Sequence, residues 1–157
     1  MNYIRKAEER DIPRILSLLL QVNMVHHNIR PDLFKGPAVK YDREELCKIL
    51  KSDDRLVFVY DEGKGAEGYI FCEIQQHKDS RLMTDIRTLY IDDLCVDETS
   101  RGKRIGHRLY EYVYSLAKVE GFYNITLNVW HGNDGAEHFY ESLGLSVQKT
   151  TLECIIK

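Results

Sequence analysis

Cationic residues and glycines are concentrated in residues 101–106, which read RGKRIG and follow an apolar stretch that ends at Val96. The apolar residues after this segment recur at helical spacing, so the segment opens a helix. The first N–H groups of a helix have no partner within it and carry the positive end of its dipole, which favours an anion. Gly102 allows close backbone approach. Three side chains add positive charge: Arg101, Lys103 and Arg104. The pattern predicts a phosphate site, and a solvated basic turn is the alternative.

The spacing excludes two common phosphate-binding loops. The chain has neither the GxxxxGK[ST] pattern of a P-loop nor the GxGxxG pattern of a dinucleotide-binding turn. A third pattern fits. The segment 93–96 followed by 101–106 resembles the pyrophosphate-binding signature of the GNAT superfamily of acyl-CoA-dependent N-acyltransferases, roughly [QR]-x-x-G-x-[GA] after a strand. A second block of the family follows in the same order, at residues 128–130, 133–136 and 139–145.

The resemblance implies a binding site for acetyl-CoA as cosubstrate. Backbone groups of Leu94 and Val96, with Cys95 between them, would bind the pantetheine arm like an added strand. The residues implied to hold the pyrophosphate are Arg101, Gly102, Lys103, Arg104, Ile105 and Gly106. Arg104 stands where the family has its middle glycine, and helical dihedrals there would keep its N–H available. Asn133 matches a position that often contacts the cofactor arm, and a helix N-cap is the alternative.

Two residues are the catalytic candidates. Tyr140 is similar by position to the tyrosine that often protonates the departing thiolate, and an aromatic side chain in the core is the alternative. Asp92 is the candidate for the general base, because other members place an acidic residue on this strand. Strand alternation is expected to point Asp92 and Asp93 to opposite faces. Some relatives have a glutamate at the position of Asn128, which cannot accept a proton here.

Four polar residues are candidates for acceptor recognition, because they fall between the first two predicted helices: His26, His27, Arg30 and Asp32. That region commonly shapes the acceptor pocket in the family, and surface loop residues are the alternative. The remaining histidines near the two motif blocks show no ligand spacing, so we expect no metal.

The elements that position these residues can be traced along the chain. A first strand at Tyr3–Ala7 precedes a helix capped by Asp11, and a second helix covers 43–51. A hairpin and a further strand ending at Val96 come next, followed by a helix over 105–120, a strand over 122–129, a helix to Leu143, and one or two strands over 145–157. We expect a single domain over residues 1–157 with an α+β, GNAT-like three-layer fold. Its twisted sheet would be mixed, mostly antiparallel and six- to seven-stranded, with about four flanking helices.

Bulk composition narrows the functional classes. The chain has 157 residues and a formal net charge of −3, so no broad basic field suggests a nucleic-acid partner. Four dispersed cysteines and the lack of a signal-like or membrane-length apolar run favour a cytoplasmic protein.

The combined prediction is an N-acetyltransferase that moves an acetyl group from acetyl-CoA to a primary amine, with a small molecule as the preferred acceptor. The acyl donor would lie in a gap between the strand ending at Val96 and the strand ending at Val129, and the amine would attack directly in a ternary complex. A protein N-terminus or lysine is the alternative acceptor, and a non-catalytic CoA-binding regulatory module is the alternative class. A homodimer with pairing of the C-terminal strands stays open.

Overall fold

Five strands form one mixed sheet in the computed structural model, which describes residues 2–157. The strands are β1 (Ile4–Lys6), β2 (Arg55–Tyr60), β3 (Gly68–Gln76), β4 (Arg87–Val96) and β5 (Asn124–Leu127). They lie in chain order across the sheet. The first four strands pair antiparallel, and β5 pairs parallel to β4 after a helical crossover. The mixed, mostly antiparallel sheet is confirmed, but the predicted six to seven strands are too many.

Within residues 2–157, four α-helices cover the two faces of this sheet. They are α1 (Ile12–Ile29), α2 (Arg43–Lys51), α3 (Ile105–Val119) and α4 (Asp134–Ser142). A capping box between Asp42 and Glu45 fixes the start of α2, because each side chain accepts a hydrogen bond from the backbone N–H of the other residue. The helix α1 is longer than expected and includes His26 and His27 in its last turn. These two histidines are therefore on a helix and not in a connecting loop.

One apolar cluster lies on each face of the sheet. The first packs α1 and α2 against strand residues such as Val59, Tyr69 and Phe71. The second packs α3 against the alternate strand residues, such as Ile70 and Cys72. This alternation is the period-2 pattern of strands buried on both sides. The structure is therefore a three-layer arrangement of helix, sheet and helix. No helix within residues 2–157 is long and apolar enough to cross a membrane.

A β-bulge interrupts the alternation within β4. Phe71 of β3 pairs with Asp93, whereas the next residue, Cys72, pairs with Ile91, so Asp92 is the extra residue of the bulge. Before the bulge Leu89 and Ile91 pack on the α3 side, and after it Leu94 and Val96 also do so. The parity of the strand therefore changes by one residue at the bulge.

The C-terminal residues do not form the predicted strands. No helix or strand is assigned after Ser142, and residues 146–157 are all exposed. Within the described chain these residues find no backbone hydrogen-bond partner. A strand exists only when a neighbouring strand pairs with it, and none lies alongside this segment.

Candidate active site

The strands β4 and β5 diverge at the centre of the sheet. Their pairing runs from Thr88 with Asn124 to Ile91 with Leu127 and ends there, while β4 continues to Val96. The side of β4 that faces away from β3 is therefore unpaired from Asp92 onward. Backbone groups on that side are free to pair with an extended ligand, as a further strand would. The gap is where the sequence placed it, although β5 ends two residues before Val129.

A cleft leads from this gap to the start of α3. Its volume is about 360 Å³, and its lining includes Leu94 and Val96 of β4, the loop between β4 and α3, and Phe139 of α4. The loop residues in the lining are Ser100, Arg101, Gly102, Arg104, Ile105 and Gly106. None of the backbone N–H groups from Gly102 to His107 donates a hydrogen bond to another group of residues 2–157. This row of free donors at a helix N-terminus suits a pyrophosphate.

The two adjacent carboxylates of β4 lie on one face, so the expectation of opposite faces is wrong. The bulge brings both toward α1 and α2. Asp92 accepts hydrogen bonds from Lys40 Nζ at 2.9 Å and the Tyr41 hydroxyl at 2.5 Å, and Arg55 Nη2 lies 3.5 Å away. Two cations and a phenol therefore occupy the oxygens of Asp92, which leaves them little room to receive a proton from a substrate.

Asp93 has the environment that suits a general base. Its Oδ2 accepts one hydrogen bond, from the Tyr69 hydroxyl at 2.8 Å. Burial raises the pKa of Asp93 to about 6, and the charge of Asp92 acts in the same direction, opposed by Tyr69 and Lys40. A carboxylate with a pKa near the working pH is a better proton acceptor than an ordinary aspartate. Regular strand alternation gives no reason to prefer Asp93 to Asp92, and only the position of the bulge distinguishes the two residues.

Tyr140 lies on α4, next to Phe139 of the cleft lining. Its ring is 5.0 Å from that of Phe139, and its hydroxyl finds no hydrogen-bond partner within residues 2–157. Burial raises the pKa of Tyr140, and the charge of Asp93 contributes to that rise. Tyr140 is therefore a protonated phenol within electrostatic reach of Asp93, with a free O–H to donate.

Comparison with known proteins identifies the family. The sequence model of the Acetyltransferase (GNAT) family matches residues 22–145. The chain belongs to this family. A tetramutant of the BH1408 protein from Bacillus halodurans is 32% identical, with a TM-score of 0.92 over 98% of this chain and 99% of that one.

More distant structures share the GNAT fold. An aminoglycoside acetyltransferase from an uncultured soil metagenomic sample has a TM-score of 0.73 at 21% identity, over 98% of this chain and 94% of its own. Glucosamine-6-phosphate N-acetyltransferase from Arabidopsis thaliana has a TM-score of 0.69 at 22% identity, over 98% and 97%. The comparison with curated proteins finds no match.

The segment 101–106, the GNAT loop of this chain, departs from the family pattern at Arg104, which has left-handed dihedrals, with φ 61° and ψ 26°. Helical dihedrals, the condition considered for an available N–H, are not adopted, yet the N–H of Arg104 is free of partners within residues 2–157. A glycine adopts this backbone without strain, whereas a residue with a Cβ does so at a cost of about 1–2 kcal/mol. Arg104 therefore has a backbone conformation that favours glycine, and it adds a cation at the cleft.

Two other residues of the GNAT loop make contacts within the protein. Lys103 is absent from the cleft lining, and its Nζ lies 3.0 Å from Glu67 Oε1, which also accepts from the Ser100 hydroxyl. Gly106 lies against α4, where an added Cβ would be 3.2 Å from the Phe139 ring. This glycine therefore allows α3 and α4 to pack closely.

Cys95 and Asn133 border a smaller cleft of about 180 Å³ on the α1 side of β4. The Cys95 Sγ lies 3.5 Å from the Leu18 carbonyl oxygen, and burial raises the pKa of the thiol to about 12. A thiol in this state is a poor nucleophile. Asn133 caps α4, since its Oδ1 accepts from the Ala136 N–H at 3.3 Å, and its place in the lining also allows contact with a ligand.

The four candidates for acceptor recognition divide into two groups. His26 packs against Phe34 with ring centroids 5.2 Å apart, and burial lowers its pKa, with Lys40 contributing. His26 is therefore the one of the four that lies near Lys40, the lysine that binds Asp92. The other three make contacts within the protein: His27 Nδ1 lies 2.7 Å from the Phe34 carbonyl oxygen, and Arg30 forms ion pairs with Asp32 and Glu153.

Proposed function

We propose that this protein transfers the acetyl group of acetyl-CoA to the primary amine of a small molecule, by direct attack in a ternary complex. The observation that carries the proposal is the unpaired edge of β4, which has free phosphate-binding N–H groups at one end. Asp93 lies toward the other end, within electrostatic reach of Tyr140. An acyl donor bound along this edge would have its phosphates at one end and a proton-transfer pair near the other.

The residues present fit acetyl-CoA. The free N–H groups from Gly102 to His107, with Arg101 and Arg104 beside them, would hold the pyrophosphate. The unpaired backbone of Leu94 and Val96 would hold the pantetheine arm. When bound, the thioester supplies an acetyl group activated for attack by an amine.

The proton transfers are assigned to Asp93 and Tyr140. An aliphatic ammonium must lose a proton before its nitrogen can attack, and Asp93, ionised above a pH of about 6, would accept that proton directly or through one water. As the C–N bond forms and the C–S bond breaks, the nitrogen would lose its second proton to solvent, and Tyr140 would donate its hydroxyl proton to the departing sulfur. Asp93 would then release its proton to solvent and the Tyr140 phenolate would take one up, so that one proton is released in each cycle. Asp92 would act on this pair only through its charge.

A small acceptor is supported by contacts that close the far side of the gap. Phe34, after α1, meets Trp130, after β5, edge to face with ring centroids 5.2 Å apart. Beside them the side chain of Ile29 lies against Gly132, where an added Cβ would be 3.2 Å away. These contacts connect the end of α1 to the loop after β5 and leave little room for an extended peptide. The carboxylates of β4 favour a cationic amine at this end.

The test is thiol release from acetyl-CoA by the full chain, with polyamines, aminoglycosides and peptides as acceptors. We expect Tyr140→Phe to slow release by about 10²–10⁴-fold while calorimetry shows the affinity for acetyl-CoA changed by less than about twofold. Tyr123→Phe is the matched control, because Tyr123 is exposed before β5. It should leave both quantities unchanged.

The same assay separates the alternatives. Faster release with peptides than with small amines would assign a protein acceptor. Binding of acetyl-CoA without release for any acceptor would support a regulatory module. Failure of acetyl-CoA to bind at all would refute the proposal.

A further inference from the structure

The residues that lead into β3 lie against the connection from β4 to α3, which covers residues 97–104. The backbone N–H of Asp97 donates to the Glu67 carbonyl oxygen at 2.8 Å. Gly68 allows this close approach, because an added Cβ there would lie 3.1 Å from the Ile105 side chain in the first turn of α3. A part of the chain outside both motif blocks therefore supports the GNAT loop.

The side chain of Glu67 holds the middle of this connection. Its Oε1 accepts a hydrogen bond from the Ser100 hydroxyl at 2.7 Å and lies 3.0 Å from Lys103 Nζ. The bond from Ser100 and then that from Lys103 lower the pKa of Glu67, so the carboxylate is ionised at neutral pH. Ser100 is buried, whereas the Lys103 side chain is half exposed and solvent screens its charge. Glu67 therefore acts on the connection mainly through Ser100.

The helix α1 holds the start of the same connection. Asp97 is buried and forms an ion pair with Arg14 of this helix. Its Oδ1 accepts hydrogen bonds from the N–H and the hydroxyl of Thr99, at 3.0 and 3.1 Å. Arg14 Nε also donates to the Ala66 carbonyl oxygen at 2.9 Å, just before β3. The connection is thus bonded on two sides to elements that are distant in sequence.

These contacts leave the arginines of the GNAT loop available to a ligand. Each carboxylate beside the connection has a cation of its own, in the pairs Asp97–Arg14 and Glu67–Lys103. Arg101 and Arg104 line the cleft and form no ion pair within residues 2–157. The two acidic residues therefore order the connection while the two arginines keep their charge for an anion.

The backbone of the GNAT loop needs this support. Gly102 and Arg104 both have positive φ, of 88° and 61°, and the second is unfavourable for a residue with a Cβ. A strained backbone persists only where the surrounding structure holds it. The free N–H groups of residues 102–107 keep their relative positions only while that backbone is held, and a loop that must first be ordered binds its ligand more weakly.

We infer that Glu67 is a positioning residue for the phosphates of the acyl donor, because it holds the GNAT loop in its binding conformation through Ser100. Glu67 is not among the residues that line the cleft, so it acts without contact to the ligand. The inference rests on the proposed binding of acetyl-CoA. Loss of the Glu67 carboxylate should therefore raise the KM for acetyl-CoA and leave kcat unchanged, since Asp93 and Tyr140 keep their places.

The first experiment is calorimetric titration of acetyl-CoA into the full chain, paired with thiol release. Glu67→Ala should weaken binding and raise the KM by about tenfold, the effect of losing one hydrogen bond to a charged group, with kcat within about twofold of wild type. Glu67→Gln should recover most of the affinity, because its amide oxygen can still accept from the Ser100 hydroxyl. Glu44→Ala is the matched control, since Glu44 pairs with Lys48 on the exposed face of α2, and it should bind like wild type.

Limited proteolysis measures the order of the loop without acetyl-CoA. Trypsin cleaves after lysine and arginine, and the connection offers Arg101, Lys103 and Arg104. Cleavage of the native protein there reports how often the connection opens, so Glu67→Ala should be cut about tenfold faster than wild type. Glu44→Ala should be cut at the wild-type rate.

The outcomes separate this inference from the proposed function. If the wild type binds acetyl-CoA and Glu67→Ala binds it equally well, the inference is wrong and the proposed function stands, whatever the melting temperature of the variant. Equal rates of tryptic cleavage in the two proteins would also overturn the inference. If the wild type itself does not bind acetyl-CoA, the proposed function and the inference both fail.

Discussion

Replacing Asp93 by asparagine should stabilise the protein at neutral pH while it removes activity. Asparagine has the shape of aspartate, and its amide oxygen still accepts the Tyr69 hydroxyl. The wild-type carboxyl has its pKa raised from 3.8 to about 6, chiefly by burial. Because the folded pKa is the higher one, the stability associated with the protonated form is complete below about pH 4 and is lost as the pH rises through about 6.

The size of this effect follows from the shift. Roughly two pKa units at 1.36 kcal/mol each make the ionised carboxylate about 3 kcal/mol less favourable in the folded state than in the unfolded chain. We therefore expect the free energy of unfolding of Asp93→Asn, relative to wild type, to increase by about that much between about pH 4 and pH 8. In a chain of this length the gain corresponds to a melting temperature higher by roughly 6–12 °C at the upper pH.

The assay is urea denaturation at several pH values, paired with thiol release. Loss of the base should lower activity by about 10²–10⁴-fold and remove the acidic limb near pH 6 from the wild-type profile of kcat/KM. The matched control is Asp92→Asn, which leaves Lys40 and Arg55 without their carboxylate and should destabilise the protein at pH 8. Parallel stability curves for Asp93→Asn and wild type would show that Asp93 ionises without cost and refute the reasoning.

Three predictions concern the GNAT loop. Arg101→Ala should weaken acetyl-CoA binding by about tenfold or more, whereas Lys103→Ala should change it by less than about twofold, because that ammonium already binds Glu67; calorimetry that found equal losses would contradict this. Arg104→Gly should raise the free energy of unfolding by about 1 kcal/mol, since glycine adopts the left-handed backbone without strain. A lower free energy of unfolding for the variant in chemical denaturation would contradict this. Gly106→Ala should cost about 1–3 kcal/mol because its Cβ meets the Phe139 ring; an unchanged melting temperature would mean that α4 yields.

Local signals made part of the structure predictable. The bounds of α2 follow from a capping box and a short apolar face, and the loop before α3 follows from its glycine and charges. The parts that failed depend on distant partners. The strands expected over 145–157 have suitable residues but no neighbouring strand in the single chain.

The candidate base shows the same dependence on distant partners. The sequence gives no reason to prefer one of the two adjacent aspartates as the base. Only the pairing of β4 with β3 determines on which face of the sheet each side chain lies. The choice of Asp92 stays a prediction, but its oxygens bind Lys40 and Tyr41, and the structure favours Asp93. Tyr140 also stays a prediction, one that follows from the local motif around it.

The bulge of β4 makes the length of this strand as important as its composition. Loss of Asp92 or Asp93 would remove the extra residue and restore regular alternation, and Leu94 and Val96 would keep their side of the sheet. A regular strand has room for only one residue between Ile91 and Leu94, so the two carboxylates that now share one face could not both be present. We therefore expect deletion of Asp92 to leave the sheet and the cleft formed while Lys40 and Tyr41 lose their partner and Asp93 loses the neighbouring charge that helps to raise its pKa.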